Sequence, residues 1–233
     1  MDLLAQAISL LGGPGLPEPL PASPFPLLVK WFEQAKRERR VPNPDSIALA
    51  TASPDGAPRV RIVLCKSIEP VPGAIVFYTN RHGAKGRELE ANARAAAVFH
   101  FDHLGHQARV EGTVERVSDA ESDAYFATRH PLSRLGAWAS HQSEPIESRQ
   151  ALAEKVSIAM QSLGVTPVAL AAACAGGPNV SIPRPPHWGG YRILAHRVEL
   201  WTDAAGRLHD RAEWVRDPIK TPNTLWSTCR IQP

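Results

Sequence analysis

Apolar residues recur at two periods along this chain, and the period changes block by block. Leu28, Trp31, Phe32 and Ala35 stand three and four apart, which predicts one apolar face of a helix starting near Ser23. Pro24 suits its first turn, and the polar run at residues 36–40 with the prolines that follow ends it. Strand-like blocks come next. Residues 46–53 (SIALATAS) and 59–68 (RVRIVLCKSI) are short and apolar, and Pro54-Asp55-Gly56 between them predicts a hairpin. Residues 74–80 (AIVFYTN) read as a third strand and 84–94 (AKGRELEANAR) as a short helix. In 107–117, Ala108, Val110, Gly112 and Val114 alternate with Gln107, Arg109, Glu111, Thr113 and Glu115, the period of a half-buried strand. With 94–102 it makes a second hairpin-like pair.

Ser118 followed by Glu121 has the form of a capping box and opens a helix that Pro131 ends. Residues 132–141 form a further short helix, and 147–164 a clearer one closed by Gly164. Residues 165–186 show neither period and read as a long insertion-like segment. The blocks 191–201, 207–216 and 225–231 read as closing strands. Strands outnumber helices, and the links are short. The fold class is therefore mainly β with attached helices (α+β), an antiparallel barrel rather than a doubly wound parallel sheet. Residues 1–24, rich in Gly and Pro towards their end, are expected to form a flexible arm, and 25–233 a single domain.

Composition narrows the function. A formal net charge of +3 with dispersed cations gives no nucleic-acid footprint. No apolar run approaches the length of a bilayer span, and the acidic Asp2 does not suit a signal peptide. Three scattered cysteines offer no metal spacing and no disulfide framework, so a reducing, cytoplasmic compartment is expected. His100, His103 and His106 lack such partners, so no metal site is assigned. The dinucleotide, P-loop and nucleophile-elbow motifs are all missing.

Four groups of residues suit anions. Arg61 and Lys66 lie in an apolar strand, where each needs an anionic partner or an exit to water. Their opposite parity means that only a bulge, or two separate anions, lets both serve one pocket. Thr79 and Lys85 flank a helix start, where backbone N–H groups favour phosphate. Tyr125 and Arg129, four apart with Ser133 beyond Pro131, suit a phosphate monoester. Arg207, His209 and Arg211 alternate, so a strand would send all three to one face, towards an anion or a neighbouring carboxylate.

Taken in order, RIVLCK (61–66), FYTN with KGREL (77–80, 85–89), HQARVEG (106–112), SDAYFATR (122–129), SRLGAWASHQS (133–143), PPHWGGYR (185–192), VELW (198–201), RLHDR (207–211) and the terminal W-x-x-x-R-I-x-P resemble the pyridoxamine 5′-phosphate oxidase family from about Phe25 to Pro233. The resemblance implies an FMN-binding split β-barrel, a homodimer with FMN at the subunit interface, and oxidation of pyridoxamine or pyridoxine 5′-phosphate to pyridoxal 5′-phosphate. Dioxygen would leave as hydrogen peroxide. It implies FMN contacts at Arg61, Ile62, Val63, Leu64, Lys66, Tyr78, Thr79, Lys85, Gln107, Gln142, Ser143, Trp201 and Arg211. It implies substrate-phosphate contacts at Lys66, Tyr125, Arg129 and Ser133, with Arg207 and His209 as catalytic residues beside the substrate ring. Departures fall mostly outside this set. The N-terminal stretch lacks the family's Arg-x-x-Tyr, Ala84 stands where a polar residue is usual, Cys65 replaces an aliphatic residue, and the segment before Ile182 is longer. Two other functions fit the same fold: a flavin oxidase of a dihydrophenazine-type ring, and a flavin- or pyridoxal-phosphate-binding protein without turnover.

Overall fold

A computed structural model describes residues 15–217 and 225–233. The chain divides into two compact units. One comprises residues up to Phe77, Ala91–Glu115 and Arg192 onwards; the other comprises Tyr78–Glu90 and Arg116–Tyr191.

The first unit holds helix α1 (Phe25–Glu38) and the body of the sheet. The strands of the chain are β1 (Ser46–Ala52), β2 (Pro58–Glu69), β3 (Ala74–Asn80), β4 (Arg94–Phe101), β5 (His106–Arg116), β6 (Trp188–Thr202), β7 (Asp210–Val215) and β8 (Ser227–Ile231), with the end of β3 and the start of β6 in the second unit. They run in the order β3-β2-β1-β4-β5-β6-β7-β8, and β6 also pairs with β3. Six strands thus close into an antiparallel barrel, and β7 and β8 extend the sheet. The expected hairpin forms β1 and β2, with Ser46 opposite Leu64 and Ala52 opposite Pro58. Gly56 in its turn takes φ +87°, open to glycine without strain. β4 and β5 pair from Phe101–His106 to Arg94–Thr113.

The period-two reading of β5 holds inside the barrel: Ala108, Val110 and Gly112 are buried, and their neighbours are partly exposed. Gly112 allows a close approach of two backbones. A Cβ there would stand 2.2 Å from the carbonyl oxygen of Leu194 on β6. The face predicted for α1 is buried at Leu28, Trp31, Phe32 and Ala35, and Phe32 meets Phe99 of β4 edge-on at 5.9 Å. Each large apolar side chain buried in this way contributes about 1.5–3 kcal/mol.

Of the expected N-terminal arm, residues 1–14 lie outside the described residues. Residues 15–24 form no helix or strand but are anchored. Leu16 is buried and its N–H donates to Asp210 at 2.8 Å; Trp214 Nε1 donates to the Pro21 carbonyl at 2.8 Å.

The second unit is helical: α2 (Ala84–Ala91), α3 (Asp119–Ala127), α4 (Pro131–Ala139), α5 (Arg149–Ser162) and α6 (Pro167–Cys174). The capping box forms as read, with the Glu121 N–H donating to Ser118 Oγ at 3.1 Å. Gly164 closes α5 at φ +65°. The segment without assignment contains α6, capped by Thr166 with Pro167 in its first turn. That Thr-Pro pair is a helix-start signal that the Ala-rich run obscured. Val165, Leu170 and Ile182 from this segment join Phe126, Leu135, Ala139, Ala159 and Trp188 in one apolar cluster. Among the described residues no single helix is long and apolar enough to cross a membrane.

Candidate functional site

In the second unit, β3 ends in Tyr78-Thr79-Asn80 and Gly83 follows before α2 begins. The loop after α4 returns to this point. Lys85, in the first turn of α2, is buried, and its Nζ donates to Gln142 Oε1 at 2.7 Å and Thr79 Oγ1 at 3.1 Å. Thr79 Oγ1 itself donates to Gln142 Oε1 at 3.2 Å. The Ala84 N–H donates to Ser143 Oγ at 3.2 Å, and Ser143 holds φ +72°. Four of the expected FMN contacts, from three separate stretches of sequence, therefore meet. Asn80 was not anticipated. Its side chain accepts the His82 N–H at 2.8 Å and donates to the Ser140 carbonyl at 3.3 Å, and so fixes both loops. A cleft of about 340 Å³ opens here, lined by Asn80, His82, His141, Gln142, Glu144 and His187.

Tyr78 stacks on Tyr125 at 4.1 Å and on Trp188 at 5.5 Å. Arg129 lies just beyond the end of α3, not on its face as expected, because the helix stops at Ala127 and the chain turns through Thr128. The Arg129 guanidinium is carried over the Trp188 ring at 4.6 Å and the Phe126 ring at 5.4 Å. Its Nη1 is buried without a hydrogen-bond partner. Burial lowers its pKa, and the nearby Tyr125 opposes that shift. A planar cation held on an aromatic face with a spare N–H is built to take an anion. Trp188, the platform, stood in the PPHWGGYR stretch without a role. Ser133 is exposed at the start of α4.

In the first unit, the register between β2 and β3 shifts at Cys65 and Ser67, so an extra residue, Lys66, sits in β2. This bulge breaks the strict alternation that would send Arg61 and Lys66 to opposite faces. Arg61 Nη1 donates to Thr51 Oγ1, and Lys66 Nζ pairs with Asp45 at 2.6 Å. Ile62 is 66% exposed, while Val63 and Leu64 are partly covered. Cys65 is buried, and burial pushes its thiol up to about 12.

The row of Arg207, His209 and Arg211 does not share one strand face. Strand β7 begins only at Asp210, and Arg207 lies in a short 3₁₀ turn at φ +62°, exposed to solvent. Gly206 at φ +65° creates the turn, and its flexibility was the missed signal. Arg211 meets the neighbouring carboxylate instead of a free anion: its Nε and Nη2 donate to Glu199 Oε1 at 2.9 and 2.7 Å. His209 packs against the Trp201 ring at 4.6 Å, and its Nδ1 lies 3.1 Å from Asp203 Oδ1. Gln107 is half-buried opposite His100 on the β4–β5 hairpin. His100, His103 and His106 face different partners: Asp102 at 3.7 Å, Glu38 at 3.6 Å and the Trp31 ring at 4.3 Å.

Comparison with known proteins gives a consistent result. Residues 33–158 match the family described as pyridoxamine 5′-phosphate oxidase. Residues 188–233 match the pyridoxine 5′-phosphate oxidase C-terminal dimerisation region. The chain is 46% identical over 211 residues to a pyridoxine/pyridoxamine 5′-phosphate oxidase of Azorhizobium caulinodans, covering 90% of each. It is 43% identical to the Gluconobacter oxydans protein of the same name, covering 92% of this chain and 96% of that one. Among solved structures it resembles PhzG from Burkholderia lata in complex with tetrahydrophenazine-1-carboxylic acid, with a TM-score of 0.76 and 30% identity over 91% of this chain and 94% of that one. The fold also matches a pyridoxamine 5′-phosphate oxidase-related, FMN-binding protein from Nostoc punctiforme, with a TM-score of 0.66 and 15% identity over 91% of this chain and 99% of that one.

Proposed function

The chain belongs to the pyridoxamine 5′-phosphate oxidase family, and from that membership we propose that it oxidises pyridoxamine and pyridoxine 5′-phosphate to pyridoxal 5′-phosphate with FMN as cofactor and dioxygen as final electron acceptor. The observation that carries the reading is the Lys85, Thr79 and Gln142 cluster. A buried ammonium beside a hydroxyl and a helix N-terminus fits the phosphate of FMN. When bound, FMN supplies the acceptor for the electron pair and hydrogen that leave the substrate carbon.

The chain's own residues have separable tasks in this reading. Lys85, Thr79, Gln142 and Ser143 hold the cofactor phosphate. Arg61, Ile62, Val63 and Leu64 of β2, with Tyr78, Gln107, Trp201 and Arg211, complete the cofactor site. Arg129, spread over Trp188, grips the substrate phosphate with Tyr125, Ser133 and Lys66. Holding the phosphate far from the reacting carbon orients that carbon, which removes an entropic part of the barrier. Arg207 and His209 orient the substrate ring. The protein is a homodimer in this reading, and FMN lies at the subunit interface. Val60 and Ile62, 70% and 66% exposed on the β2 strand assigned to the cofactor, support that placement. Cys65, Cys174 and Cys229 are free thiols, in keeping with a reducing cytoplasm.

Resemblance to PhzG favours one other substrate, a dihydrophenazine-type ring. The buried spare N–H of Arg129 argues for a phosphate ester instead. The test is direct: record the absorption spectrum of the purified protein, then add each vitamer phosphate and a dihydrophenazine under air and follow peroxide. Peroxide with the vitamer phosphates is expected. A yellow protein that turns over only the dihydrophenazine, or a colourless protein that takes up no FMN, overturns the reading.

A further inference from the structure

Three imidazoles line the cleft beside Lys85, all within the second unit: His82, His141 and His187. Gln142, which accepts from the Lys85 ammonium, lines the same cleft. It packs down on Gly83, where a Cβ would stand only 2.6 Å from Gln142 Oε1. His82 precedes that glycine and His141 precedes that glutamine, so both flank the contact. His187 joins from the stretch before β6. Its carbonyl accepts the Arg81 N–H at 2.7 Å, and its Nε2 donates to the Ala137 carbonyl at 3.0 Å. The His82 and His187 rings lie 5.6 Å apart between centroids. A carbonyl only accepts, so neutral His187 keeps its lone pair on Nδ1. A proton there adds a donor without breaking the bond already made.

We propose that His82, His141 and His187 form an anion subsite next to Lys85, which receives the phosphate ester of FMN and takes up a proton from solvent with it. The subsite rests on the FMN reading above and adds to it three side chains that the reading left unused. A phosphate monoester holds nearly two negative charges at neutral pH, and Lys85 supplies one positive charge. The other charged groups around the cleft are committed. Arg81 and Arg184 converge on Asp119 at 3.7 and 3.0 Å, and Glu144 on the cleft wall lies 3.3 Å from Arg87. Glu88 of α2 is buried and does not line the cleft. Ala84 brings no polar side chain, and its N–H goes to Ser143. The imidazoles are the groups on the cleft that gain positive charge near neutral pH. Two cationic rings 5.6 Å apart repel each other, and a dianion beside them reverses that cost. Anion binding and protonation therefore reinforce each other. His82 and His141 are exposed and His187 is half-buried, so solvent delivers the proton directly.

The experiment titrates the full-length chain, freed of flavin, with FMN, riboflavin or inorganic phosphate. Calorimetry in buffers of different ionisation enthalpy counts the protons bound. At about pH 7.5 a phosphate monoester has already lost its second proton, so any uptake is by the protein. FMN is expected to bind with uptake of about one proton, and riboflavin with none. His82→Gln combined with His187→Gln keeps a donor at both positions and removes their charge. The ratio of variant to wild-type dissociation constants for FMN should grow about 10-fold from mildly alkaline to mildly acidic pH, the worth of one charge-assisted hydrogen bond. The titration of the phosphate itself is common to both proteins and cancels in the ratio. The proton count is made on the wild type and stands whether or not the variant folds. FMN binding without proton uptake, or a ratio that stays flat across pH, overturns the subsite and leaves the oxidase reading in place. Proton-linked binding of inorganic phosphate by a chain that takes up no FMN keeps the subsite and overturns the cofactor reading.

Discussion

Arg211 of β7 gives two hydrogen bonds to a single oxygen of Glu199 on β6, at 2.9 and 2.7 Å, and that glutamate is 3% exposed. The second carboxylate oxygen lies 2.9 Å from Arg109 Nη2 on β5, without the alignment of a hydrogen bond. One buried anion therefore gathers cations from two strands. Removing it leaves Arg211 with the Gln232 carbonyl and Arg109 with Glu111. Glu199→Ala should cost about 1–3 kcal/mol, less than a fully buried pair because both arginines are partly exposed. Denaturant unfolding measures the loss, and FMN affinity should weaken with it because Arg211 loses its orientation. A variant as stable as wild type would show that the cluster does not hold the strands.

Lys85 makes a sharper test of the cofactor site. Lys85→Met keeps the length of the buried side chain and removes its charge. The dissociation constant for FMN should rise about 10- to 100-fold, the worth of a charge-assisted hydrogen bond. Quenching of flavin fluorescence reads the constant, and far-ultraviolet circular dichroism checks that α2 survives. Unchanged FMN affinity would remove Lys85 from the site.

Arg129 should tolerate no conservative exchange. Lysine cannot lie flat on Trp188 or present a planar fork to a phosphate. In Arg129→Lys, KM for pyridoxine phosphate should rise about 10-fold while the turnover number changes less, the mark of lost ground-state binding. Equal loss in both would place Arg129 in the chemistry rather than the grip.

Much of this arrangement is legible in the sequence, and the reasons differ by element. The barrel strands announce themselves because a half-buried strand alternates, as β5 does at Ala108, Val110 and Gly112. Helix starts with side-chain caps are also visible, as at Ser118. Helix α6 was missed because Ala-rich sequence has no face; burial of Leu170 alone gives it direction. The row at Arg207, His209 and Arg211 was misread because Gly206 at φ +65° turns the chain before β7 starts. The partners of the cations were out of reach for another reason. That Glu199 faces Arg211, and that Lys66 faces Asp45, follows from register and a bulge, which no local pattern encodes.

His106 gives a pH dependence with a definite sign. Burial lowers its pKa below the ordinary 6.5, and Lys30 adds to that, against the Gly105 carbonyl. The unfolded chain therefore binds the proton more readily. Stability from this group is present above its ordinary pKa and is lost as pH falls below it. Melting temperatures of wild type should drop between neutral and mildly acidic pH by more than those of His106→Gln. His196, lowered by its own burial, acts in the same direction in both proteins and leaves a shared residual slope. Parallel curves would exclude His106 as a source.

The pairing of β6 with both β5 and β3 has a bearing on how the chain is made. A ribosome delivers β1 to β5 first, and the barrel then waits for more than seventy residues before its closing strand emerges. During that interval β3 and β5 are open edges, the kind of surface that recruits other nascent chains. The longer segment of the helical unit, Arg116–Tyr191, occupies that interval, so the edges stay open for the time its synthesis takes.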